Sequence, residues 1–189
     1  VFLMASWRKY LTVFTKPFNY DGITSATPLA LLKEGKLLEH ISTWNLFLGI
    51  RGGCIGEVCI IALLAGALYL LLRGYISWYI PISFIATTGL LTWIFGGKGF
   101  FTGDWLFHIL SGGLILGAFF MATDYVTSPL TRKGHLIFGI SCGVLTAVIR
   151  LWGGYPEGVS YAILIMNAAT PLIDRYTKKR VYGTNLGKS

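Results

Sequence analysis

Charge is what this sequence has least of. Lys, Arg, Asp and Glu make up 13% of its 189 residues, and only 8 of them are acidic. A soluble domain carries about a quarter charged residues, so a wholly water-facing surface is excluded and a lipid-facing one is expected. Cysteine is nearly as scarce. Cys54, Cys59 and Cys142 fall in or at the edges of apolar runs with no CxxC pattern, which favours small apolar packing roles over a thiol metal cage or a disulfide framework. His108 and Asp104 stand four residues apart, but no further ligands lie at suitable spacing, so no metal site is expected. A secretory signal is missing too: the chain opens VFLMASWRKY, without the basic-then-apolar order. That opening reads as the tail of an upstream membrane helix, and the chain as the C-terminal part of a longer protein.

What is present is apolar: 54% hydrophobic residues, 15% of the chain aromatic. Five runs, 54–72, 75–95, 105–121, 136–152 and 159–173, approach the roughly 20 residues that cross a bilayer. The last is short and needs tilt or help from flanking residues. The pattern predicts an all-α membrane protein in four parts. Residues 1–41 form an extracytoplasmic leader, 42–53 a re-entrant or interfacial piece, 54–174 a five-helix membrane domain, and 175–189 a basic cytoplasmic tail. A net charge of +8 invites a nucleic-acid reading, but the basic residues sit at the ends of the apolar runs, where they act as topology signals. One face collects Arg73, Arg132, Lys133, Arg175, Lys178, Lys179 and Arg180. The other has Arg51 and Lys98 in short loops, and Arg8, Lys9, Lys16, Lys33 and Lys36 in the leader. Weighting residues near the helix ends puts the RYTKKR tail in the cytoplasm and the leader outside.

Glycine pairs punctuate the loops, and Gly112, Gly113 and Gly117 beside Ser111 make a face of small residues. Such a face lets helices approach closely; alternatively, glycines near half-helix ends free backbone groups to face a ligand, as in broken-helix transporters. Trp78, Trp93, Trp105, Trp152, Tyr75, Tyr79 and Tyr155 gather at run ends as an interfacial belt. Polar residues inside the runs are costly and usually face a bundle interior or a water-filled cavity. Glu57 fits either a snorkelling or capping role or a place beside a flavin or ion path. Asp124 fits a helix cap or a functional role equally. His108 is expected to bond locally to Asp104, and Arg150 to reach the surface or pair with a nearby acid.

Residues 21–33, DGITSATPLALLK, hold the densest polar cluster in apolar surroundings. Pro28 suits the first position of a helix and Thr27 its N-cap, which leaves Asp21, Thr24 and Ser25 unexplained. Asp21-x-x-Thr24-Ser25-Ala26-Thr27 resembles the flavinylation motif D-x-x-[ST]-G-A-T of the RnfD/NqrB family. Gly53-Cys54-Ile55-Gly56-Glu57, Met121-Ala122-Thr123-Asp124 followed by Thr127, and Pro171-Leu172-Ile173-Asp174-Arg175-Tyr176 through Tyr182-Gly183 extend the resemblance. The ending is closer to the RnfD branch than to NqrB. Ser25 departs from the family's usual Gly and restricts the backbone there.

The resemblance implies FMN esterified through its phosphate to Thr27 by a flavin transferase, with Asp21, Thr24, Ser25 and Ala26 completing the attachment motif. Helix N-terminal amides after Pro28 would suit the phosphate. It further implies one half of a two-repeat transporter-like fold and a membrane electron-carrier subunit of an ion-translocating ferredoxin:NAD oxidoreductase (Rnf) complex. Electrons would arrive from ferredoxin through iron–sulfur and flavin subunits, coupled to Na+ or H+ movement. A non-covalent riboflavin is implied by the NqrB branch. The expected partners are the other Rnf-type membrane and redox subunits, the flavin transferase and the bilayer of the cell's inner membrane. Competing readings are the membrane subunit of the Na+-translocating NADH:quinone oxidoreductase, a solute channel or transporter, and a purely structural anchor. Asp21–Thr27 discriminates against a plain permease, which has no use for it. The second Ala-Thr-Pro-Leu, at residues 169–172, lies in an apolar run with Leu164 where the first copy has Asp21, and is read as coincidence.

Overall fold

The computed structural model describes residues 59–177 apart from Lys98 and Pro156, together with residues 14–15, 24–25, 29 and 47–48. Its order is a two-residue ladder of β1 (Phe14–Thr15) and β2 (Thr24–Ser25), then α1 (Ile60–Leu72), α2 (Tyr79–Phe95), α3 (Trp105–Leu110), α4 (Leu114–Leu116) running into a π-helical turn (Gly117–Met121), α5 (Arg132–Leu151) and α6 (Val159–Tyr176). The strands pair antiparallel with Phe14 opposite Ser25 and Thr15 opposite Thr24. Apart from this two-residue ladder the described residues form helices and their connections, in keeping with the expected all-α class.

Among the described residues the helices make five passes along the bundle, and each expected boundary shifts for a local reason. Run 54–72 is not one helix: Cys59 is extended at φ −94°, ψ 100°, and α1 starts after it. Run 75–95 loses its first residues to a chain reversal. Gly74 adopts φ 72°, its N–H donates to the Leu71 carbonyl and the Tyr75 N–H to the Leu70 carbonyl, both at 3.0 Å. This paired closure, with glycine in the left-handed conformation, ends α1 and postpones α2 to Tyr79. Run 136–152 begins earlier, at Arg132, because the Thr131 hydroxyl accepts from the Gly134 N–H at 3.0 Å and caps the helix. Run 159–173 extends to Tyr176, giving α6 18 residues. Among the described residues α5 is the one helix long and apolar enough to cross a membrane unaided; α1 and α2 are shorter apolar helices.

The fourth run's partner is the second. Gly139 and Gly143 lie on α5 against α2, so close that a Cβ on Gly139 would sit 2.0 Å from Ser83 Oγ and 2.8 Å from the Ile80 carbonyl. A Cβ on Gly143 would sit 2.7 Å from Thr87 Cβ. Two glycines four apart on one helix face allow this backbone approach. A main core of Ile80 and Phe84 from α2, Leu114 and Ala118, Phe138 and Cys142 from α5, and Val159 and Ile163 from α6 surrounds the seam. Cys142 is fully buried there, the small apolar role expected of it, while Cys59 is exposed. A second cluster joins Leu29, Ile60, Phe107, Leu110 and Ile115. The third pass stands between the two, feeding Leu114 and Ala118 to one and Phe107, Leu110 and Ile115 to the other.

Candidate functional site

The third pass, read from sequence as a single run, is interrupted at 111–113. α3 starts with the Asp104 carboxylate accepting from the Phe107 N–H at 3.0 Å. It stops at Ser111, which is extended at φ −90°, ψ 141°. Gly112 follows at φ 69°, a left-handed conformation that side-chain-bearing residues resist. The pass resumes as α4 and the π turn, in which the Ala122 N–H reaches back five residues to the Gly117 carbonyl. Gly117 lies against α6, where a Cβ would meet Val159 Cγ1 at 2.2 Å. Gly117 thus supplies close helix approach and Gly112 supplies the break, so the small-residue face divides between the two roles that spacing left open.

A helix end leaves its last carbonyls without intrahelical partners. Here Arg150, on α5 and 4% exposed, supplies them. Its Nη1 donates to the His108 carbonyl and its Nη2 to the Ser111 carbonyl at 3.3 Å. Arg150 therefore does not reach the surface; a cation at a helix C-terminus is also favoured by the dipole. His108 bonds to Asp104 through the backbone, its N–H donating to the Asp104 carbonyl at 3.2 Å, while its ring makes no bond to the carboxylate. The carboxylate is engaged as the N-cap, because the orphan N–H of Phe107 is the nearer donor, and His108 is turned inward, 3% exposed. His108 Nδ1 and Ser111 Oγ, both buried, have no hydrogen-bond partner. Leu29 and Glu157 join Arg150 in converging on Gly112. The point a Cβ would occupy there is 2.8 Å from Leu29 Cδ1, 3.3 Å from Arg150 Nη2 and 3.5 Å from Glu157 Cγ. The break thus brings together one fixed cation, one half-buried acid and the unsatisfied Ser111 hydroxyl, while the His108 ring lies toward Gly96, where a Cβ would be 3.5 Å from its Nε2.

The residues singled out from sequence are distributed unevenly. Asp21, Ala26, Thr27 and Glu57 lie outside the described residues, as does Cys54. Thr24 and Ser25 form β2. Asp124 is exposed in the connection after the π turn, where its carboxylate accepts from the Thr127 hydroxyl at 3.1 Å. That connection is tied to α6: the Thr170 hydroxyl donates to the Thr127 carbonyl at 2.8 Å, and the Asp174 carboxylate accepts from the Leu130 N–H at 3.0 Å. Two motif-bearing segments, 121–127 and 171–176, are thereby held together at one end of the bundle. Thr170, in the second Ala-Thr-Pro-Leu, is a buried helical residue. Among the described residues no group of three or more His, Cys, Asp or Glu could hold a metal. Sequence reading passed over Leu29, the bond from Leu130 to Asp174 and the buried role of Arg150. The available signal for Arg150 was a cation within an apolar run three residues before the Gly153-Gly154 pair.

A sequence model of the NQR2, RnfD, RnfE family matches residues 1–183. The chain is 51% identical over 193 residues to the D subunit of the proton-translocating ferredoxin:NAD(+) oxidoreductase complex of Clostridium ljungdahlii, covering 96% of this chain and 58% of that protein. It is 51% identical over 184 residues to the D subunit of the Na(+)-translocating ferredoxin:NAD(+) oxidoreductase complex of Acetobacterium woodii, covering 96% and 56%. Against the D subunit of the ion-translocating oxidoreductase complex of Stutzerimonas stutzeri the identity is 45% over 175 residues, covering 87% and 49%. The chain spans about half the length of the curated relatives it matches.

Proposed function

This chain belongs to the NQR2, RnfD, RnfE family, and on that premise we propose that it is part of the membrane electron-carrier subunit of an ion-translocating ferredoxin:NAD oxidoreductase, carrying FMN as a phosphoester on Thr27. The observation that carries the reading is the motif Asp21-x-x-Thr24-Ser25-Ala26-Thr27 in a chain 51% identical to the D subunits of two such complexes. Those two are equally identical yet named for different ions, so identity does not choose between Na+ and H+. Membership of a multi-subunit complex, maturation by a flavin transferase and a riboflavin elsewhere in the protein belong to the same proposal.

A multi-pass position in the cell's inner membrane is supported by the inverted surface. Ile61, Leu64, Leu68 and Leu72 of α1, and Ile137, Ile140, Val144 and Val148 of α5 point outward, while Thr88, Thr92 and Thr146 are fully buried. The two buried hydroxyls of α2 find carbonyls within their own helix: Thr88 Oγ1 donates to Phe84 at 3.0 Å and Thr92 Oγ1 to Thr88 at 2.9 Å, whereas Thr146 Oγ1 has no partner. The satisfaction within α2 is what a surrounding without water requires. The seven belt aromatics are all exposed. Arg73, Arg132, Lys133 and Arg175 gather at the end of the bundle where α1 finishes and α5 starts, the end we assign to the cytoplasm.

The residues present suit a flavin mononucleotide. Leu29, two residues beyond Thr27, is buried and helical, in keeping with a helix start at Pro28, and the unsatisfied Ser111 hydroxyl belongs to the break that Leu29 packs against. When bound, FMN supplies transfer of single electrons; the chain anchors the group and fixes its surroundings. The broken third pass also suits a transporter, and a permease would lack covalent flavin. The test is a denaturing gel of the membrane fraction under ultraviolet light, followed by peptide mass mapping. The band of this protein should fluoresce, Thr27→Ala should abolish the signal without removing the protein from the membrane, and the modified peptide should contain Thr27. Flavin released on denaturation, or a label on Thr170, would refute the assignment.

A further inference from the structure

The connection at 122–131, at the end of the bundle assigned to the cytoplasm, is pinned on both sides. The Tyr125 hydroxyl donates to the Tyr75 carbonyl at 2.5 Å, the Thr170 hydroxyl to the Thr127 carbonyl at 2.8 Å, and the Leu130 N–H to the Asp174 carboxylate at 3.0 Å. Pro129 is fully buried, and Ser77 Oγ and His135 Nδ1 are hydrogen-bonded at 3.3 Å. These ties bring the end of α1, the connection, the start of α5 and the end of α6 into one surface. The same fixed backbone leaves Val126 89% and Leu130 81% exposed. It cannot fold those side chains away without breaking its own bonds.

Lipid tails do not cover them either. The 20 residues of α5 rise about 30 Å, the thickness of the hydrocarbon core, and start with the exposed cations Arg132 and Lys133. Val126 and Leu130 precede that boundary, on its headgroup and water side. Among the described residues at this end, the exposed cations are Arg73, Arg132, Lys133 and Arg175, and the acids are Asp124 and Asp174. Both acids are already engaged, by the Thr127 hydroxyl and the Leu130 N–H. We propose, on the reading that the chain is part of a multi-subunit complex with this end in the cytoplasm, that Val126 and Leu130 with Arg132, Lys133 and Arg175 form a docking surface for a cytoplasmic protein partner, one presenting an apolar patch bordered by Asp or Glu. Apolar tips beside a charged rim are the usual layout of a protein interface. The excess of cations selects an acidic partner, and a backbone already fixed has little left to order on binding.

The test is photocrosslinking of the full-length protein in its own membrane, with benzoylphenylalanine placed at Val126 and the linked peptide mapped by mass spectrometry. The link should run to a second polypeptide, at a peptide with Asp or Glu beside apolar residues. Arg132→Gln combined with Lys133→Gln should lower the yield by about fivefold or more, Lys133→Arg should not, and Leu130→Ser, which keeps the N–H bonded to Asp174, should lower it too. Links to phospholipid alone, to another part of the same chain or to nothing would overturn the proposal, as would a yield that neither change affects. If the double Gln variant does not accumulate in the membrane, Leu130→Ser decides alone, and an unchanged yield overturns the proposal. Wild-type protein is also purified in mild detergent. Other subunits that co-purify while the crosslink fails would refute the surface only, whereas a protein that purifies by itself would refute the multi-subunit reading.

Discussion

The seam between α2 and α5 and the break in the third pass are both built on glycine, and they use it in opposite ways. At the seam, Gly139 and Gly143 are ordinary helical residues whose missing side chains admit a neighbouring backbone. At the break, Gly112 takes a conformation other residues avoid, at φ 69°, and the space beside it is filled by side chains from three other parts of the chain. The seam is held by shape and the break by polar bonds from Arg150. Glycine content alone therefore says little; what matters is whether hydrogen bonding continues through the residue.

Adding bulk to the seam should have the largest effect. Gly139→Val would place a Cβ 2.0 Å from Ser83 Oγ and 2.8 Å from the Ile80 carbonyl. The carbonyl belongs to helix backbone and cannot rotate aside. Overpacking of a well-filled core costs about 1–3 kcal/mol and more where backbone must move, so the variant should fail to accumulate in membranes. Gly139→Ala should accumulate poorly and be partly rescued by Ser83→Gly, read by band intensity and detergent thermal melts. Lack of rescue would mean that the Ile80 carbonyl, not the serine, is the obstacle.

At the break the same kind of change should act through backbone strain. Gly112→Ala forces a left-handed φ on a residue with a Cβ, at about 1–2 kcal/mol, and presses on Leu29 Cδ1, the movable end of a flexible side chain. The protein should still fold. Amide exchange around Leu29 should rise while exchange along α5 stays at its wild-type level. Uniform loosening of both would erase the distinction between the two regions.

The apolar runs made the five passes legible, because burying or lipid-facing long hydrophobic stretches leaves few alternatives. Their edges were not, since helices end where hydrogen bonds and caps end rather than where hydrophobicity does: Arg132 and Lys133 are charged yet helical, carried by the Thr131 cap. The seam was encoded openly as Gly139-Ile140-Ser141-Cys142-Gly143, but the adjacent glycine pairs are the louder pattern and mask the four-residue spacing. The break was half legible: Ser111-Gly112-Gly113 marked the place, whereas its partner Arg150 is 38 positions away in sequence and could be assigned only by folding. The attachment motif was readable from resemblance, and the tie from Leu29 to Gly112 needed coordinates.

Capping should matter less than either glycine. Thr131→Ala removes the acceptor for the Gly134 N–H and should lower stability by about 1 kcal/mol, with Thr131→Ser restoring most of it. Asp104→Ala removes the corresponding bond to Phe107 and should cost a similar amount. The consequences differ by region. Loss of the first cap should lower the melting point of the whole protein, because α5 carries the seam, whereas loss of the second should loosen α3 locally, detected by amide exchange at Phe107 and His108.

The smallest effect tests whether the seam depends on its cross-helix polar contact. Thr88 Oγ1 donates to the Phe84 carbonyl of its own helix at 3.0 Å and approaches the Gly143 carbonyl of α5 at 3.4 Å. Thr88→Val keeps the branched shape and deletes both. The two carbonyls lie inside continuous helices, so their backbone partners remain, and interhelical hydrogen bonds in membranes average only about 0.6 kcal/mol by double-mutant cycles. The variant should lose no more than that in a detergent unfolding titration. A loss several times larger would show the hydroxyl to be holding the helices together, making the seam a polar junction like the break. A near-neutral result, beside the severe effect expected for Gly139→Val, would locate its strength in the close fit of two helix backbones.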